Sequence, residues 1–131
     1  METERRPISI GDDGATGACC GPVAPLRSGG DLSEAVRILA ALADPTRLAI
    51  VELLAAQDEP LCVCEIVPRF ALGQPTISHH LRVLREARLV TWDKRGLWVY
   101  YALDRATLSR AGRYLGGLVA ERGQPAGAGQ V

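Results

Sequence analysis

The stretch that decides the fold runs from Leu72 to Leu84: Leu72-Gly73-Gln74-Pro75-Thr76-Ile77-Ser78-His79-His80-Leu81-Arg82-Val83-Leu84. Leu72-Gly73 reads as a tight turn. Gln74 and Pro75 then open a helix, because the fixed φ and missing N–H of proline suit a first helical turn. Ile77, Leu81 and Leu84 recur at helical spacing and point inward, which leaves Thr76, Ser78, His79, Arg82 and Arg85 outward. Just upstream, residues 62–70 can hold only a short helix, since Pro68 is tolerated in a first turn or at a distortion. Two helices joined by a glycine-containing turn predict a helix-turn-helix.

Working outward, Asp31 with Glu34 three residues on is a helix start, followed by Leu32, Val36, Leu39 and Ala43 as an apolar stripe that ends near Leu42. Asp44-Pro45 starts a second helix with Leu48, Val51 and Leu54 on one side, stopping before Pro60. Downstream, Leu89–Asp93 and Leu97–Leu103 are rich in Val, Leu, Trp and Tyr, with Lys94-Arg95-Gly96 as the turn between them. That predicts a β-wing with two cations at its tip. A last helix, Thr107–Glu121, carries Leu108, Ala111, Leu115, Leu118 and Val119, a stripe wider than a small domain needs for its own core. The fold class expected is mainly α with a β-hairpin, a winged helix-turn-helix that forms a homodimer through its terminal helices.

Residues 1–30 hold Pro7, Pro22, Pro25 and six glycines with little periodicity, and read as a mobile arm carrying Cys19 and Cys20. The winged domain is expected over residues 31–122, and residues 123–131 read as a frayed tail. With 131 residues there is room for one compact domain. Aromatics at 5% leave the core to Leu, Val, Ile and Ala.

The net charge of zero argues neither for nor against nucleic acid, but its distribution does more. Residues 1–68 carry 5 basic and 11 acidic side chains, residues 69–95 carry 6 and 2, and residues 96–131 carry 4 and 2. The middle segment is the one suited to meeting phosphate, although a solvated helix face would look alike on charge alone. No apolar run approaches the roughly 18 residues that span a bilayer, and Met1–Ile10 lacks a signal-peptide stretch, so no membrane partner and a cytoplasmic location are expected. In a reducing compartment four cysteines point to metal or redox chemistry rather than to structural disulfides.

Cys62 and Cys64 are two residues apart, and positions i and i+2 of an ideal helix do not face each other. One ion can be held by both only where the chain is extended or distorted, and Pro60 just upstream favours an extended stretch. Soft thiolates select soft ions, namely Zn, Cd, Pb or trivalent arsenic, and exclude Mg and Ca. A buried cysteine acting as a small hydrophobe is a rival reading for Cys62, whereas Cys19 and Cys20 have no core to fill.

Over roughly positions 33–120 the chain resembles the ArsR/SmtB metalloregulatory repressors. The matching pieces are Leu42-Ala43-Asp44-Pro45-Thr46-Arg47-Leu48, Leu61-Cys62-Val63-Cys64-Glu65-Ile66, Gln74-Pro75-Thr76-Ile77-Ser78-His79-His80-Leu81, and Trp98-Val99-Tyr100-Tyr101. Together and in this order they are specific; any one alone is weak. The resemblance implies a homodimeric winged-helix repressor, not an enzyme, in which DNA and inducer oppose each other. The helix from Gln74 would lie in the major groove with Gln74, Thr76, Ser78, His79 and His80 near base edges. Arg82, Lys94 and Arg95 would contact phosphates. Each of these could instead be an ordinary exposed residue, and one histidine could face the core. A dimer would read double-stranded operator DNA as an imperfect palindrome.

Some members place a third cysteine three residues after the second; here that position is Val67. A third thiolate for arsenite or antimonite would then come from Cys19 or Cys20, in the same subunit or its partner. All four thiolates, Cys19, Cys20, Cys62 and Cys64, would instead suit Cd or Pb. The family's zinc site between the last helices needs His ligands, and Asp104–Glu121 has none. The remaining alternatives are a disulfide switch between arm and helix cysteines, and a thiol oxidoreductase or metal buffer. The oxidoreductase is disfavoured because the Cys-X-X-Cys of catalytic dithiols is absent.

Overall fold

The computed structural model describes residues 21–25 and 30–120. The expected arm, with Cys19 and Cys20, and the expected tail from 123 onward lie outside the described residues. Five helices and a small sheet follow in the order α1 (Gly30–Leu42), α2 (Pro45–Ala55), β1 (Leu61–Cys62), α3 (Val63–Ile66), a 3-10 turn (Val67–Arg69), α4 (Gln74–Glu86), β2 (Val90–Arg95), β3 (Trp98–Leu103) and α5 (Arg105–Ala120). The winged helix-turn-helix architecture is the one expected.

α2 begins as the sequence predicts. The Asp44 carboxylate accepts the Arg47 N–H at 3.0 Å, and Pro45 occupies the first turn. Asp31 lies inside the first turn of α1 rather than before it, where its charge suits the positive end of the helix. Pro68 breaks the third helix as expected: α3 lasts four residues and continues as the 3-10 turn.

The core is filled by Ile38, Ile50, Ile66, Ile77, Leu81, Leu84 and Leu89, all fully buried. Each contributes about 1.5–3 kcal/mol by leaving water. Ile77, Leu81 and Leu84 are the inward face expected of α4. Two stripes differ from expectation. On α1 the buried face is Ala35, Ile38 and Ala41, whereas Val36 is 56% exposed and Leu39 and Ala43 are also exposed. On α2 Ile50, Val51 and Leu54 are buried and Leu48 is exposed. Both helices carry apolar residues over more than one face, so periodicity alone cannot choose which face meets the core.

Strands β1, β3 and β2 form an antiparallel sheet in that spatial order. β2 runs further than expected. Lys94 pairs with Val99 and Arg95 with Trp98, so both cations sit on the strand, and the turn is Gly96-Leu97. Gly96 has φ +66°, and a two-residue hairpin with glycine first is the turn that follows strand twist. Leu89 closes α4 instead of opening the strand: its N–H reaches the Leu84 carbonyl at 2.9 Å while the Arg88 N–H reaches Arg85 at 2.9 Å. This is a Schellman cap, with Arg88 at φ +65° in the position glycine favours. α5 packs on α1 and starts two residues earlier than expected, because Asp104 accepts the Thr107 N–H at 3.3 Å. Among the described residues, no helix is long and apolar enough to cross a membrane.

Candidate nucleic-acid interface and thiol site

Gln74, Thr76, Ser78, His79 and Arg82 are exposed on α4. Ile77, Leu81 and Leu84 anchor the opposite face, so the polar residues are presented on a helix that cannot roll. The two histidines part company here. His79 faces solvent. His80 is half-buried, with Nδ1 3.2 Å from Arg47 Nη1 and 3.9 Å from Asp44 Oδ2. A guanidinium can only donate, so Nδ1 accepts and the His80 proton is assigned to Nε2. Arg47 also donates from Nε to the Ala41 carbonyl at 2.6 Å. Arg47 thus ties the end of α1 to α4 through His80, and His80 positions the helix rather than standing with the exposed group. The Asp44 carboxyl is held below the usual carboxylate range, chiefly by the Arg47 N–H and also by the charge of Arg47.

On the other flank of α4, the Arg85 guanidinium lies 5.0 Å from the Trp92 ring centroid on β2. The helix is therefore pinned on both sides. Arg47, Arg85 and Trp92 were not among the predicted site residues. The Asp-Pro-Thr-Arg run carried a signal for Arg47, but the partners of Arg85 and Trp92 depend on tertiary packing.

Lys94 and Arg95 are exposed on the wing and alternate between its faces. Arg95 is held: its Nε donates to Asp93 Oδ2 at 2.9 Å and its guanidinium lies 4.5 Å from the Tyr100 ring centroid. Leu97 at the tip is 89% exposed.

Cys62 and Cys64 come together although they are i and i+2. Cys62 is the extended cap residue of α3, with φ −72° and ψ 149°, so its side chain folds back over the first turn. Its Sγ accepts the Cys64 N–H at 3.3 Å and lies 2.7 Å from Cys64 Sγ, the Cys64 thiol donating. Glu65 completes the cap by accepting the Cys62 N–H at 2.8 Å. Of the extended stretch expected after Pro60 only Leu61 and Cys62 are present, paired with Tyr101 and Tyr100 in β3; Cys64 already lies in α3, so the two sulfurs meet through the cap and not by strand alternation. Cys62 is buried and Cys64 exposed, so the pair opens to solvent on one side. The hydrogen bond to Cys62 pushes the Cys64 thiol above its ordinary value, helped by residual desolvation and by the nearby charges of Cys62 and Glu65. Among the described residues no cluster of three or more His, Cys, Asp or Glu side chains is poised for a metal, so these two thiols by themselves make half of the predicted four-thiolate set.

A helix-turn-helix with a polar outer face on its second helix and a cationic wing defines a winged-helix DNA-binding protein. The family model for the arsR family of bacterial regulatory proteins matches residues 44–91. An HTH-type transcriptional regulator of Methanocaldococcus jannaschii is 46% identical over 72 residues, covering 54% of this chain and 80% of that protein. The arsenical resistance operon repressor of Escherichia coli is 46% identical over 69 residues, covering 53% of this chain and 58% of that protein. A solved structure of a possible transcriptional regulator for arsenical resistance superposes with TM-score 0.56 at 34% identity, covering 63% of this chain and 82% of that one. This chain belongs to the arsR family, whose members are DNA-binding transcriptional regulators and not enzymes.

Proposed function

We propose that the chain is a homodimeric repressor that leaves its operator when trivalent arsenic or antimony is captured by its cysteine thiolates. The observation that carries this reading is the apposition of Cys62 and Cys64 at the junction between the wing sheet and the helix-turn-helix. Two soft sulfurs side by side select a soft thiophilic ion. Relatives named as arsenical resistance operon repressors, from Escherichia coli and Staphylococcus xylosus, support the choice of ion. The third thiolate is assigned to Cys19 or Cys20.

Capture is coupled to DNA by position. An ion held by both sulfurs acts on both elements that Cys62 joins, strand β1 and helix α3. Gln74, Thr76, Ser78 and His79 then read base edges, His80 positions them through Arg47, and Arg82, Lys94 and Arg95 contact phosphate. Dimerisation buries the exposed apolar residues of the terminal helices, Val36 and Leu39 on α1 with Leu115, Leu118 and Val119 on α5. The operator is an imperfect palindrome, matching the twofold axis.

The test is fluorescence anisotropy of the reduced protein on DNA from upstream of its gene, titrated with arsenite, Cd, Pb and Zn. Release by arsenite near one ion per site, abolished by Cys62→Ser, is expected. Release only by Cd or Pb would move the reading to a four-thiolate site, and release only by peroxide, reversed by dithiothreitol, to a disulfide switch.

A further inference from the structure

We propose that a second site, distinct from the thiols and from the DNA-reading face, binds a small oxyanion of the phosphate or phosphomonoester class. It is a cavity of about 340 Å³ lined by Arg85, Arg88, Val90, Thr91, Trp92 and Asp104, where the end of α4 meets the base of β2. Arg85, on the last turn of α4, and Arg88, just past its end, both line it, and among the described residues neither has a carboxylate within salt-bridge distance, although the charge of Arg88 is felt at Glu34. The stacking of Arg85 on Trp92, at 5.0 Å, fixes one donor fork at the cavity wall. The one acid in the lining, Asp104, has one carboxylate oxygen engaged by the Thr107 N–H at the cap of α5.

The second observation is backbone conformation. Arg88 sits at φ +65° at the C′ position of the Schellman cap, a region unfavourable for a residue with a Cβ and natural for glycine. Folding alone favours glycine there, so the arginine is accounted for by what its side chain does, and its charge lines this cavity. Paired guanidinium forks match the oxygens of a phosphate in geometry as well as charge. The site lies some 16 Å along α4 from Gln74, eleven residues at about 1.5 Å each and one turn beyond Arg82, and the titrations below separate a soluble anion from the DNA backbone.

Trp92 is the built-in reporter. In full-length reduced protein carrying Trp98→Phe, Trp92 is the only tryptophan left. Titration with inorganic phosphate at constant ionic strength, against chloride, should give a saturable change in its emission. Arg88→Gly should weaken that response at least tenfold, the loss of one charge-assisted contact, while the protein melts no lower than its parent. No phosphate response in the parent, or an undiminished one in Arg88→Gly, would overturn the proposal. So would a phosphate-silent parent whose operator affinity and salt slope both fall on Arg88→Gly, which would make Arg88 a contact to the DNA backbone.

Discussion

Cys62 stands directly opposite Tyr100 in the β1–β3 ladder, and the ring of Tyr100 carries the guanidinium of Arg95 at 4.5 Å. A residue of the thiol pair and a cation of the wing are thus separated by one strand pairing and one ring contact. Replacing Tyr100 with Leu removes the ring and keeps the strand. A cation–π contact at an exposed site is worth about 0.5–1 kcal/mol, so operator affinity should fall roughly two- to fivefold. The extent of release at saturating arsenite should shrink with it. Anisotropy titrations of parent and variant with and without arsenite measure both, and an unchanged ion response would show that the wing takes no part in release.

Arg95→Ala should weaken operator and unrelated DNA alike. Removing one phosphate contact lowers the slope of log affinity against log salt by about one. A loss confined to the operator would mean that Arg95 reads bases.

The two histidines are expected to separate in a paired experiment. His79→Ala should reduce operator affinity and leave urea stability within about 0.5 kcal/mol, as for an exposed substitution. His80→Ala strands an Arg47 donor and should cost about 1–3 kcal/mol of stability as well. Equal stability of the two variants would remove His80 from the positioning role.

Cys64 gives a pH dependence with a definite sign. Its thiol is raised above the ordinary value, first by the hydrogen bond to Cys62. The folded state therefore holds this proton more tightly than the unfolded chain does. The resulting stability is present below the ordinary thiol value and is lost as pH rises through the raised one. Capture of a divalent cation such as Cd releases the thiol proton, so apparent Cd affinity should keep climbing into the alkaline range, whereas arsenous acid condenses with thiols by losing water and should show no such climb. Cys62→Ala should shift the alkylation profile of Cys64 to lower pH, as read by iodoacetamide rates.

Two substitutions test the packing. Arg88→Gly relieves the left-handed backbone and should stabilise the domain by roughly 0.5–1 kcal/mol, seen as a rise of a few degrees in Tm. Leu118→Glu places a charge in the apolar face of α5 and should give a monomer in sedimentation, with operator binding lost. A stable Leu118→Glu dimer would place the subunit interface elsewhere.

The sequence by itself determined the order of the helices and the polar outer face of α4, because those rest on local rules. Asp44 caps and Pro45 starts α2, Pro68 breaks α3, and Ile77, Leu81 and Leu84 form one unambiguous stripe. The candidate cysteines and the polar face of α4 were legible for the same reason. Only the tertiary structure decided which of two apolar stripes on α1 is core, since Ala35-Ile38-Ala41 and Leu32-Val36-Leu39 both have helical period and packing breaks the tie. It also decided that the wing turns at Gly96-Leu97, where strand pairing outweighs the turn propensity of Lys94-Arg95-Gly96. The division of labour between His79 and His80 depends on Arg47, 33 residues before His80 in the chain. The meeting of Cys62 and Cys64 depends on a cap and on a strand 38 residues away at Tyr100. These are contacts between distant segments, and no local periodicity encodes them.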